Sequence, residues 1–219
     1  MDDRALEKLA RVFVRGFPEM DRGEQRLARS VYRALTDGEP VDPHDAALAA
    51  ELEPAPALAS LRNWPTVFWD EDERITGFLG LGVAPTRHRF EVDGGVAFTW
   101  CAWDALFIPQ IIGAPARVTS RCPASDEAVS MVVHPDGIES ISPADVVLSF
   151  LTPAAAQLGE QVTGSFCQFV HFLRPGRQSE RWLAERPDLF EMSLERASEL
   201  GRLVNSRRFA ETDLFLSSK

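Results

Sequence analysis

Hydrophobic positions recur at helical spacing through the first 61 residues and at strand-like spacing beyond residue 82, and that change of period organises the chain. Leu6, Leu9, Ala10, Phe13 and Val14 form one stripe. It predicts an amphipathic helix over residues 3–15 that stops at Gly16-Phe17-Pro18. Leu27, Val31 and Leu35 predict a second helix over 22–36, closed by Gly38 and Pro40. Asp42-Pro43 reads as the N-cap and first turn of a third helix through 52, and Pro54-Ala55-Pro56 sets off a short fourth through 61. Residues 66–69 and 74–78, on either side of the acidic turn Asp70-Glu71-Asp72-Glu73, predict a small hairpin. Helices followed by a hairpin are the order of a winged-helix unit.

From Gly82 onward short apolar runs alternate with turn signals. Strands are expected at 87–92 and 96–99 around Asp93-Gly94-Gly95, then at 117–120, 129–133, 138–141, 146–150 and 166–172. A helix is expected over 101–112, broken at Gly113-Ala114-Pro115, with closing helices near 179–185 and 193–209. The expected fold class is α+β. A small helical, winged-helix-like domain at 1–82 precedes a catalytic domain at 83–219, built on a mixed or antiparallel sheet with flanking helices.

Charge narrows the function classes. The 219 residues carry a formal net charge of −10, which opposes binding to the polyanions nucleic acid and anionic membrane. Residues 41–61 contain no Lys or Arg while holding Asp42, Asp45, Glu51 and Glu53, the wrong sign for a recognition helix facing phosphates. Met1-Asp2-Asp3-Arg4 has no basic or apolar leader character, so a cytoplasmic location is expected. Three cysteines are an odd number. In a cytoplasmic chain they point to reactive, metal-binding or buried thiols rather than to a disulfide framework.

The chemistry concentrates at Cys101 and Asp104, three positions apart inside the aromatic run Phe98 to Phe107. If the helix begins at Cys101, the spacing sets thiol and carboxyl on one face, with Trp100, Phe107 and Ile108 as an apolar surround. A thiol at a helix N-terminus also gains thiolate character. Cys167 supplies a second thiol in Phe166-Cys167-Gln168-Phe169. Two thiolates and one carboxylate suit a soft cation better than magnesium or calcium, and a structural zinc would want four N or S ligands. The same set is compatible with a non-catalytic mercury- or copper-binding protein, or with a metal-responsive winged-helix protein. Cys122, before Pro123, reads as a buried structural thiol, and His171 as a core histidine.

These residues resemble the organomercurial lyase (alkylmercury lyase) family. The likeness rests on Trp100-Cys101-Ala102-Trp103-Asp104-Ala105-Leu106, on Pro109 through Gly113, on Ala116-Arg117-Val118-Thr119-Ser120-Arg121-Cys122, and on Ser165-Phe166-Cys167 with His171-Phe172. The resemblance implies protonolysis of a carbon–mercury bond to a hydrocarbon and Hg2+, with no dissociable cofactor. It also implies a cellular thiol such as glutathione as co-substrate and mercuric reductase as acceptor of the product. By the same implication Cys101 and Cys167 are catalytic thiolates that hold mercury, and Asp104 is the proton donor and a third mercury contact. Two departures stand out: Gln168 occupies the position where some members carry a further Cys, and the bulk of Trp103 beside the site narrows the room for the organic group.

Overall fold

The computed structural model describes residues 1–151 and 166–212. Four helices come first: α1 (Asp3–Gly16), α2 (Arg22–Leu35), α3 (Pro43–Ala49) and α4 (Pro54–Asn63). Their starts are set locally. Asp2 accepts from the Ala5 N–H, Asp21 and Glu24 close a reciprocal capping box, and Asp42 accepts from the His44 N–H ahead of Pro43 in the first turn. Each such cap satisfies amides that the helix itself leaves open.

Eight antiparallel strands build the main sheet: β1 (Val67–Trp69), β2 (Ile75–Phe78), β3 (Leu81–Gly82), β4 (His88–Val92), β5 (Gly95–Thr99), β6 (Ala116–Arg121), β7 (Ala128–His134) and β8 (Gly137–Ser142). They lie in the order β1-β2-β3-β5-β4-β6-β7-β8. β3 pairs with β2 on one side and β5 on the other, so the ladder crosses position 82 without a break. A second antiparallel sheet has the order β10-β9-β11, from β9 (Val147–Leu151), β10 (Phe172–Leu173) and β11 (Leu189–Ser193). The helix α5 (Asp104–Ile112) follows β5, and α6 (Arg177–Ala184) and α7 (Leu194–Arg208) follow β10 and β11. One connected apolar core joins α1 and α2 to α5, both sheets and α7.

Two expectations are corrected, and two strands are added. The helix expected from Cys101 begins at Asp104; Cys101 and Ala102 lie in the turn before it, where their N–H groups bond Asp104 Oδ2 at 2.9 Å and the Val170 carbonyl at 3.0 Å. The strand expected over 166–172 is a 3-10 turn at Cys167–Phe169, and only Phe172–Leu173 pairs as strand. That turn is held from outside its own sequence: Ser149 Oγ of β9 donates to the Phe169 carbonyl at 2.7 Å and accepts from the His171 N–H at 3.0 Å. The strands β3 and β11 went unforeseen, since a two-residue strand has no period to read and β11 alternates weakly between buried and exposed positions.

Candidate active site

The segment between β5 and α5 places the first thiol. Asp104 opens α5 and turns its carboxylate back onto the Cys101 N–H, while the Ala102 N–H bonds the Val170 carbonyl just past the Cys167 turn. The first bond shapes the turn bearing Cys101, and the second, a single backbone link, ties that turn to the segment bearing Cys167. Further out, Arg29 and Arg33 of α2 donate to the Ile111 and Ile112 carbonyls at the open end of α5, and Asn205 of α7 donates to the Phe107 carbonyl. The helix that carries Asp104 is thus anchored at three of its carbonyls.

Cys101, Asp104 and Cys167 come together, with one Sγ or carboxylate oxygen from each lying within 4.8 Å of the others. All three are buried, at 0%, 5% and 5% exposure. Sulfurs that close can both reach a single cation with the ~2.3 Å bonds usual for metal thiolates. Burial pushes the Asp104 carboxyl up to about 7, against hydrogen bonds from the Cys101 thiol and amide and the charge of Arg208. Burial also holds the Cys101 thiol well above its ordinary value, reinforced by its hydrogen bond to Cys167 and by the Asp104 charge. At Cys167 the hydrogen bond from Cys101 pulls down, but burial and Asp104 outweigh it and the net direction is up. The expected helix-dipole activation of Cys101 is thereby corrected: Cys101 precedes α5, and desolvation dominates. At rest both thiols are held protonated, while the Asp104 carboxyl titrates around neutral pH, where its proton is readily exchanged.

An apolar roof closes over it. Phe13, Gly16 and Phe17 of α1 line the pocket from one side, Leu79 and Gly80 of the β2–β3 turn from another, and Trp100, Trp103 and Phe166 complete the wall. The rings interlock, with Phe13 centroids 4.5 Å from Trp103 and 5.0 Å from Phe166. Gly80 (φ +105°) is required by closeness as well as by conformation: a Cβ there would sit 2.6 Å from Asp104 Oδ1. Of the anticipated apolar surround, Trp100 faces the pocket, whereas Phe107 packs on Trp103 and approaches Gly201 of α7. The roof residues of α1 and the Leu79-Gly80 turn were missed in the sequence, where Phe13 reads simply as core. The single available signal was a glycine-punctuated turn next to strand residues.

Cys122 lies apart from the three-residue cluster, buried and accepting from the Arg174 N–H at 3.4 Å. His171 Nε2 donates to the Gln168 carbonyl at 2.8 Å, bracing the Cys167 turn.

A buried pocket with two thiols and a carboxyl that titrates near neutral pH is the donor set of a thiol-dependent site suited to a soft cation. Comparison with known proteins gives the same class. The family profile for MerB, alkylmercury lyase, matches residues 81–205. An alkylmercury lyase of Streptomyces lividans is 39% identical over 176 residues, covering 80% of each chain. One from Staphylococcus epidermidis is 34% identical over 191 residues, covering 85% of this chain and 87% of that one. A crystal structure of the mercury-bound form of MerB2 has the same fold, at TM-score 0.68 and 20% identity, over 93% of this chain and 98% of that one. This chain belongs to the alkylmercury lyase family.

Proposed function

We propose that the protein cleaves the carbon–mercury bond of organomercury compounds by protonolysis, with Cys101 and Cys167 as the mercury-binding thiolates and Asp104 as the proton donor. The observation that carries this reading is the buried convergence of these three groups within 4.8 Å under an aromatic roof.

The steps balance as follows. One active-site thiol exchanges with the external thiolate on the substrate, R–Hg–SR' + Cys–SH giving R–Hg–S–Cys + R'SH. The second thiol then bonds the mercury, and its proton passes through the Asp104 carboxyl to the carbon, giving R–H and mercury held by two Cys sulfurs. A second thiolate raises electron density on mercury and weakens its bond to carbon. A carboxyl with a pKa near 7 is matched to hand over a proton at neutral pH. Two external thiols finally remove Hg2+ and return both protons to the enzyme.

The reaction asks for no dissociable cofactor. Cellular thiols such as glutathione serve as co-substrate, and in the cytoplasm mercuric reductase is the acceptor for the released ion. Gln168 leaves no adjacent third thiol for hand-over, so external thiols carry that step. Residues 1–82, winged-helix-like in the order of their elements, act as the cover of the pocket through α1 and the β2–β3 turn. No helix among the described residues is long and apolar enough to cross a membrane.

The test is release of benzene from phenylmercury in excess thiol. The wild type and Cys122→Ser release it, while Cys101→Ser and Cys167→Ser each fall by at least about a thousandfold, as loss of a covalent catalytic group requires. Benzene at the thiol-only rate, or full activity in either of the last two variants, refutes the scheme.

A further inference from the structure

Arg208, the last residue of α7, is the one described side chain whose burial is hard to reconcile with its charge. It is 5% exposed, none of its three side-chain nitrogens has a hydrogen-bond partner of good geometry, and no described carboxylate lies within ion-pair distance of it. Its neighbour Arg207 points outward and pairs with Glu7 at 2.6 Å. A guanidinium keeps its charge when buried, and an unpaired buried charge is a costly arrangement that a fold retains for a reason.

Its surroundings give the reason a location. The guanidinium carbon stands 3.6 Å above the ring of Phe17, and that ring is part of the pocket wall. Tyr32 is its polar neighbour: the hydroxyl donates to the Leu79 carbonyl at 2.8 Å and its oxygen interacts with the guanidinium, a neutral contact that supplies no counter-anion. The pocket lining itself contains no Lys or Arg, and Arg208 is the cation whose charge registers at Asp104. The Phe17 ring, half-buried at the C-cap of α1, touches the guanidinium and lines the pocket as well.

We propose that Arg208 recognises a carboxylate on the ligand of the Cys101–Asp104–Cys167 pocket, reached when the Phe17 ring swings aside. The planar fork of five N–H donors matches a carboxylate in bidentate fashion, and a ligand anion would supply the partner that the folded chain withholds. The carboxylate can be borne by the organic group on mercury or by the thiol that delivers it. The inference rests on the organomercurial reading above and adds the charge class of its ligand.

Steady-state kinetics on the full chain separate the cases. In the first arm, 4-carboxyphenylmercury and its uncharged analogue 4-carbamoylphenylmercury are compared with 2-mercaptoethanol as thiol. In the second, phenylmercury is compared with 3-mercaptopropionate and 2-mercaptoethanol. KM is the readout, because the substituent's electronic effect on bond cleavage falls mainly on kcat. The wild type shows a KM about tenfold or more lower for the carboxylate in one arm, which identifies its source, as expected for a hydrogen-bonded charge pair. Arg208→Met loses that preference and Arg208→Lys keeps part of it. Equal KM values in both wild-type arms overturn the inference without any variant, and so does a preference that survives in a folded Arg208→Met. Absence of hydrocarbon from phenylmercury with the neutral thiol overturns the underlying reading of the site, whereas release without carboxylate preference overturns this inference alone.

Discussion

Replacing Asp104 by Asn tests the site through stability and activity at once. The substitution keeps the side chain's shape and leaves an oxygen to accept the Cys101 N–H, now 2.9 Å from Oδ2. It removes the titrating proton. Burial raises the native carboxyl from 3.8 to about 7. In the unfolded chain it titrates near ~3.9. A raised pKa means that the native state binds the proton more tightly. The stabilisation is therefore fully present below pH ~4 and is lost as pH rises through about 7. One proton of difference is worth about 1.4 kcal/mol per pH unit between these limits. From pH 5 to pH 8 the wild type should lose about 2.5 kcal/mol relative to Asp104→Asn, other groups cancelling between the two proteins. Urea unfolding of both proteins at several pH values measures this directly. On the proposed mechanism turnover of phenylmercury falls by a factor of about 100 or more, the usual cost of removing a general acid. Parallel stability curves from pH 5 to 8 would refute the protonated-reservoir argument, and near-normal turnover would refute the proton-donor role.

Two more predictions use the packing. Gly80→Ala forces a Cβ to 2.6 Å from Asp104 Oδ1 at φ +105°; it should destabilise by about 1–3 kcal/mol and lower kcat more than thermal stability alone explains, measured by urea unfolding and benzene release. His88 is fully buried, with Nδ1 2.9 Å from Ser120 Oγ, and burial drives its pKa down to about 3. A depressed histidine pKa gives stability that is present above pH ~6.5 and lost as pH falls towards 3. Relative to His88→Gln, the wild type should accordingly lose stability between pH 6 and 4 in urea titrations, the Asp104 contribution being common to both proteins; parallel curves for the two would remove His88 as the cause.

The elements with a local signal were legible in the sequence. The Asp42 cap of α3 and the stripes of α1 and α2 are written within a few residues of one another, so the helices appear where those residues place them. The strands about Asp93-Gly94 and the stop at Gly113 are local in the same sense. The candidate residues were legible for a different reason: a resemblance of flanking sequence singled out Cys101, Asp104 and Cys167, which periodicity could not have done.

Tertiary structure decided the geometry between them. Cys101 lies ahead of its helix, in a turn whose Ala102 N–H is bonded to the Val170 carbonyl, 68 positions further along the chain from Ala102. Cys167 sits in a 3-10 turn because a serine on β9 satisfies that turn's backbone. The state of the acid follows from the same cause. No sequence rule raises an aspartate to a pKa near 7; Phe13, Leu79, Trp103 and Phe166 do so by arriving from four separate parts of the chain and excluding water from one carboxyl. The sequence by itself determined which groups are the candidates and which segments are helical. Their separation, their protonation and the roof above them depend on desolvation and on hydrogen bonds between distant residues, and these exist only once the chain has closed on itself.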